Sequence, residues 1–216
     1  MIITIDGPAG AGKSTVAKRL ATLLGFDYLD TGAMYRAVAL CGLRNKVNWD
    51  NPDALVTIAE QIRIRVESGR TFVDGEDVSD AVRSADVTEK TRFAANNPAI
   101  RAIMVRWQQA AVREKGIVTE GRDQGTAVFP NAGCKIYLTA TPTERTRRRV
   151  QEYEQRHEKA DFDEILRQIN RRDAEDMARE VGPLCEPPDA VRVVTDGMTI
   201  DQVVAKLIEI VKSKRC

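Results

Sequence analysis

The stretch "GPAGAGKST", residues 7–15, constrains this chain more than any other part of it. Gly7, four residues, then Gly12, Lys13 and Ser14 match the glycine-rich phosphate-loop pattern in full. The glycines are needed because consecutive backbone N–H groups must turn inward around phosphate oxygens, where side chains would block both the turn and the approach. The match falls directly between a predicted strand, "IITID" at 2–6, and a predicted helix at 13–24, whose N-terminus adds a positive dipole end. The run Gly7, Pro8, Ala9, Gly10, Ala11, Gly12, Lys13, Ser14 and Thr15 is therefore expected to cradle a nucleoside triphosphate. Lys13 is placed to neutralise the outer phosphates and Ser14 to ligate magnesium.

A strand feeding such a loop and helix implies an α/β fold. Further short apolar runs occur at 26–30, 116–120, 134–140 and 191–195, and helical periodicity at 32–44, 97–115, 143–158, 163–179 and 199–213. Strands apolar on both faces, alternating with helices, predict a parallel sheet covered on both sides. Residues 62–78, "IRIRVESGRTFVDGEDV", break this rhythm; close alternation with glycine turns at Gly69 and Gly75 predicts a small antiparallel meander. At 216 residues and 43% hydrophobic, the chain suffices for one main domain with an inserted piece.

Several function classes drop out. Charge is balanced, 33 basic residues against 32 acidic, so no overall field draws the chain to nucleic acid or an anionic membrane. "TERTRRRV", with Arg145, Arg147, Arg148 and Arg149, suggests RNA in isolation; between 142 and 179, however, nine Arg and one Lys meet ten acidic residues. The scattered Cys41, Cys134, Cys185 and Cys216 and the single His157 fit no usual zinc pattern and no disulfide framework. No basic leader and no apolar run of about 18 residues is present, which reads as a soluble protein of a reducing cytoplasm. A guanine-reading NKxD is missing too; "NKVN" at 45–48 lacks the aspartate and comes too early.

Three further motifs carry charge to places where a sheet opens. "GIVTEGRDQGT", 116–126, is an apolar strand ending in Glu120, Arg122 and Asp123. Their bland role is mutual neutralisation and capping of the next helix. "LDTGAMYR" offers Thr31 as a helix N-cap and Arg36 one turn further in. In "RRDAEDMAR", Arg172, Asp176 and Arg179 fall at spacings of four and three, hence on one helical face, where they also suit a salt-bridged surface.

Taken together, "TIDGPAGAGKST", "YLDTGAMYRAVAL", "VDGEDVSDAVR", "NPAIR", "EGRDQGTAVFP" and "RRDAEDMAREVGPL" resemble, nearly end to end, the bacterial cytidylate kinases among the P-loop nucleoside monophosphate kinases. The resemblance implies a P-loop kinase core with a five-stranded parallel sheet (1–35 and 97–216), a nucleoside monophosphate-binding insert (36–96) and a short helical lid with its tip at 152–164. It implies transfer of the γ-phosphoryl of ATP, with Mg2+, to CMP or dCMP. By family position Arg36, Arg122 and Arg179 hold the acceptor phosphate, Thr31 belongs to the acceptor site, Asp176 accepts from ribose and Arg172 orders it. Asp123 accepts from the cytosine amino group, with Arg101 and a hydroxyl near Thr91 completing the base pocket; the sequence leaves open whether Asp123 holds magnesium through water instead. Lys13, Arg122, Asp123 and Arg148 are the catalytic candidates, Arg148 as a bridge between donor and acceptor phosphates. Glu120 reads as structural.

The chemistry fits, because a dissociative phosphoryl transfer needs alignment and neutralised charge more than a histidine base. Departures from the family are Gln124 in place of an aliphatic residue, one extra residue around "AANNP", and Val194 where an aspartate commonly ends the last strand, which bears on the adenine side. The rival readings are a kinase of another small acceptor, such as UMP or a polyol acid, and a nucleotide-sensing protein without catalysis. The intact acceptor set speaks against the sensor. A monomer binding small-molecule nucleotides, with no nucleic-acid or membrane partner, is expected.

Overall fold

The computed structural model of the protein describes residues 1–67 and 69–214. Ser68 of the expected meander, and Cys216 among the expected free thiols, lie outside the described residues. Along the chain come β1 (Ile2–Asp6), α1 (Lys13–Leu24), β2 (Asp27–Asp30), α2 (Thr31–Arg44), α3 (Pro52–Gln61), β3 (Ile64–Glu67), β4 (Arg70–Val73) and β5 (Glu76–Asp77). They are followed by α4 (Ala85–Ala95), α5 (Pro98–Ala110), β6 (Ile117–Gly121), β7 (Cys134–Thr139), α6 (Pro142–Gln155), α7 (Phe162–Met177), β8 (Val191–Val194) and α8 (Ile200–Ser213).

The five strands predicted from apolar runs form one parallel sheet in the order β2-β6-β1-β7-β8. β1 is central because it is flanked on both sides, Asp6 standing beside Gly121 of β6 and Tyr137 of β7. The phosphate loop therefore leaves the sheet between the carboxyl ends of two neighbours, the crevice where open α/β sheets bind ligands. The alternating sequence 62–78 becomes the three-stranded antiparallel sheet β3-β4-β5.

Each face of the parallel sheet is closed by apolar packing. On one side Ile3, Ile5, Ile136 and Leu138 meet Leu20 of α1 and Leu207 of α8. On the other, Leu29 and Ile117 meet Met34 and Val38 of α2 and Ile100 and Met104 of α5. α2 is apolar almost all round, and its remaining side, through Ala37 and Leu40, packs on Val73, Val78, Val82 and Val87 of the insert. A helix hydrophobic on every face is a buried helix, and here it is what joins the insert to the sheet.

The structure departs from the sequence-based expectations at particular elements. The helix expected at 97–115 stops at Ala110, and two helices absent from the expectations, α3 and α4, flank the meander. Both carry local start signals: Asn51 caps α3 ahead of Pro52, and Ser84 caps α4 ahead of Asp86. α4 buries only Val87, Ala94 and Ala95, so its periodic signal is faint. Thr31 is not an N-cap: Asp30 takes that place by accepting from Ala33 N at 2.8 Å, and Thr31 is the first residue of α2. Its hydroxyl instead donates to Glu120 O at 2.7 Å, tying α2 to the end of β6.

Candidate active site

The donor cradle is built by the loop between β1 and α1. Gly7 adopts φ 149° and Gly12 φ 89°. At Gly7 a side chain would run into the carbonyl of Leu138 on β7, so the loop's first turn exists only because that residue has none. Lys13 is buried and donates through Nζ to Pro8 O at 2.8 Å, closing the loop on itself. Arg145 of α6 braces the loop from outside, donating to Ala9 O at 3.0 Å and pairing with Asp173 of α7 at 2.6 Å. Arg148, on the same helix, donates to Thr195 O at 2.6 Å and pairs with Glu144 at 3.2 Å. Its Nη1 lies 3.9 Å from where a Cβ on Gly12 would stand.

Glu120, read from the sequence as structural, stands against the cradle. Its Oε1 accepts from Ser14 Oγ at 2.8 Å. Burial pushes the Glu120 carboxyl up and the Lys13 ammonium down, the two opposing charges partly offsetting each other's desolvation. A hydroxyl paired with a carboxylate at the start of a helix is a hard-oxygen donor set, the kind magnesium takes. Spacing along the chain could not reveal it, because Ser14 and Glu120 meet only through the pairing of β1 with β6.

The link from cradle to acceptor side is Asp6. Its carboxylate accepts from Gln124 N at 2.8 Å and Gly125 N at 2.7 Å, which clamps the segment after β6 to the end of β1. Burial lifts this carboxyl to about 7, against the pull of the two amides. Residues Gln124–Val128 then form one wide helical turn, with Val128 N bonded to Asp123 O and Phe129 N to Gln124 O, both five residues apart. Arg122 and Asp123 are thereby fixed just beyond the strand end.

They do not neutralise each other, as the bland reading would have it. Arg122 Nε donates to Asp176 Oδ2 at 2.7 Å, and Asp176 also pairs with Arg179. Burial works against the Arg122 charge, but Asp176 outweighs it and the guanidinium ends above its usual range. Asp176 is likewise penalised by burial and held low by Arg122 and Arg179. Arg179 Nε donates to Asn96 Oδ1 at 2.9 Å, a contact that the sequence did not reveal. Arg172, on the same helix as Asp176, makes no hydrogen bond or ion pair among the described residues. Desolvation, then the field of Arg122, lowers it to about 10. Arg36 reaches Asp30 at 3.3 Å.

Asp123 pairs with Arg101 of α5, both side chains nearly inaccessible. Arg101 also donates to Ala95 O at 3.1 Å and lies over the Tyr35 ring, 5.6 Å from its centroid. The backbone of Gly182, in the segment after α7, lies directly on this pair; any side chain there would displace both groups. Thr91 spends its hydroxyl proton on Val87 O of its own helix at 2.6 Å.

The hollow thus gathers five guanidiniums, Arg36, Arg101, Arg122, Arg172 and Arg179, around three carboxylates, Asp30, Asp123 and Asp176. Guanidiniums outnumber carboxylates there, the balance that suits a phosphomonoester, which carries about two negative charges near neutral pH. The family model described as cytidylate kinase matches residues 3–213 of the chain. The chain belongs to the cytidylate kinase family. A cytidylate kinase of Rhodopirellula baltica is 45% identical over 212 residues, covering 98% of this chain and 93% of that protein. One from Caldanaerobacter subterraneus subsp. tengcongensis is 41% identical over 210 residues, covering 97% and 94%. Among solved structures, an uncharacterized protein from Eubacterium ventriosum superposes with a TM-score of 0.54 at 14% identity, covering 99% of this chain and 98% of that one, which shows a shared fold. Among the described residues of the chain, no helix is long and apolar enough to cross a membrane.

Proposed function

We propose that this chain moves the γ-phosphoryl group of ATP onto CMP or dCMP by holding the two nucleotides on either side of the β6 strand end, with the guanidinium hollow as the observation that carries the reading. The backbone N–H groups of Gly7 to Ser14 wrap the donor phosphates, and Lys13 leaves Pro8 O to neutralise them. Ser14 and Glu120 would hold Mg2+, which would supply charge neutralisation on the transferring group. The contacts of Asp123 with Arg101, away from Ser14, favour a base-binding role for it over a metal-binding one.

On the acceptor side Arg36, Arg122 and Arg179 take the monophosphate in forked hydrogen bonds. Asp176, with Arg172 beside it, accepts from the ribose. Asp123 accepts from the cytosine amino group while Arg101 donates to the ring acceptors, with the Thr91 hydroxyl turned to accept at the pocket edge. Arg148 meets the donor phosphates from the α6 side of Gly12. Residues 36–96 act as the acceptor-binding insert on the core 1–35 and 97–216. The connection between α6 and α7, within 152–164, is the lid tip; because α7 carries Arg172 and Asp176, lid movement changes the acceptor site as it excludes water.

Exchange of Asp123 for Asn tests the base assignment. An amide turns one acceptor into a donor, which suits the uracil carbonyl in place of the cytosine amino group, and a mismatch of this kind is worth about 1–3 kcal/mol. In Asp123→Asn the ratio of kcat/KM for CMP over UMP is expected to fall about tenfold to a hundredfold, measured at a temperature where circular dichroism shows the variant folded. An unchanged ratio would refute the assignment.

A further inference from the structure

No step above uses Arg83, the last residue of "VDGEDVSDAVR". Its backbone is pinned on both sides: Val82, 1% exposed, packs among Ala37 and Leu40 of α2, and Ser84 caps α4 by accepting from Val87 N. The side chain between these anchors is 63% exposed and reaches Asp30 Oδ2 with Nη2 at 3.8 Å, its sole ion pair among the described residues. Arg36 of α2 reaches the same Oδ2 with its own Nη2 at 3.3 Å. Asp30 cannot turn to serve the two better, because its Oδ1 accepts from Ala33 N at 2.8 Å as the N-cap of α2.

Two guanidiniums thus share one carboxylate oxygen, and neither makes the short, two-pronged contact that suits its fork. Such a contact is made elsewhere on α2, where Arg44 closes both prongs on Glu76 at 2.7 and 2.8 Å. The Nε of Arg36 is buried with no hydrogen-bond partner among the described residues. Donors are therefore left over at the carboxyl end of β2. Gly32 presents no side chain to the cluster; a Cβ there would crowd Asp30 Oδ1 at 3.3 Å and Arg36 Nη1 at 3.4 Å. Guanidiniums that meet on one carboxylate oxygen can meet as well on the oxygens of one phosphate, which offers them about two negative charges and three acceptors. We infer that Arg83 is a further acceptor-phosphate residue, which leaves Asp30 to bind the monophosphate of the acceptor nucleotide beside Arg36. Because Arg83 belongs to the insert and Arg36 to α2, the bound phosphate ties the two together. The inference rests on the reading of Arg36 as an acceptor-phosphate residue.

The test sets CMP against cytidine, which has the same base and sugar and no phosphate. In Arg83→Gln, KM for CMP is expected to rise about tenfold, while the inhibition constant of cytidine and KM for ATP stay within about twofold of the parent's. The thermal midpoint is expected near the parent's, since an exposed ion pair adds little to stability. Arg83→Lys keeps the charge without the fork and is expected to raise KM for CMP about threefold, which keeps the inference open to refutation should Arg83→Gln not fold. Arg44→Gln breaks the exposed pair with Glu76 and is expected to leave KM for CMP within about twofold. An unchanged KM for CMP in every Arg83 variant that folds overturns the inference. So does an equal loss for CMP and cytidine, because a structural role weakens base binding as much as phosphate binding, and so does a rise in Arg44→Gln equal to that in Arg83→Gln. Arg36→Gln, run alongside, separates the two levels. If it raises KM for CMP and the Arg83 variants do not, this inference alone falls; if it leaves KM for CMP unchanged, the phosphate reading of Arg36 falls and takes the inference with it.

Discussion

Lys13→Met is expected to lower kcat about a thousandfold while changing folding stability little. The catalytic loss follows from the role of a preorganised charge on the transferring phosphates in a dry site, where removing one such group reaches about 2.7–4 kcal/mol. The stability side is a balance of two small effects. Methionine keeps the aliphatic stem of the buried side chain but leaves Pro8 O without its donor, a loss of about 1 kcal/mol. Against that, burial already disfavours the Lys13 charge, so the neutral residue relieves a penalty carried by the empty protein. Turnover and a urea midpoint measured on the same preparation check both halves. A large drop in the midpoint would make Lys13 a folding residue first, and an intact kcat would remove it from the phosphate site.

Arg122→Ala carries the second large effect, about a hundredfold to a thousandfold in kcat/KM for CMP, with kcat still depressed at saturating CMP. The residue stands just beyond the end of β6, and its guanidinium is held through Nε by Asp176 and through Nη1 by Gly121 O. Alanine also leaves Asp176 with Arg179 as its remaining ion-pair partner among the described residues. Arg122→Lys separates charge from fork: it is expected to recover less than a tenth of the lost rate, because an ammonium cannot make the paired hydrogen bonds of a guanidinium. Near-parental turnover of Arg122→Ala at saturating CMP would remove the account of this residue.

Much of the fold was legible in the sequence, and the reasons are local. The phosphate loop specifies strand, turn and helix within 24 residues, and β6 and β7 announce themselves as short runs apolar on both faces. The meander was legible because alternation and glycine turns need no partner to be recognised. α4 was not, because three buried side chains leave almost no periodic trace. The exchange of N-cap between Thr31 and Asp30 shows the ordinary limit on element boundaries, since both residue types cap helices well.

The site divides in the same way. Residues named by motif, such as Arg36, Arg122 and Arg179, come near enough for their charges to act on one neighbour, Arg172, and Arg122 also acts on Lys13. Glu120 against Ser14, Arg145 against Ala9, and Asn96 against Arg179 were out of reach, since each joins segments at least 80 residues apart. Gln124 stood out in the sequence only as a departure from the family pattern. Its hydrogen-bond partners, Gln108 and Thr119, approach it in three dimensions and in no pattern along the chain.

The most direct test of the whole arrangement is ADP release by the purified chain, with ATP and magnesium in excess, across CMP, dCMP, UMP and AMP. The account predicts that CMP and dCMP are turned into diphosphates in step with ADP, with kcat/KM at least about tenfold above that for UMP and AMP. ADP release that ignores the acceptor, or no diphosphate from any of the four, would contradict it.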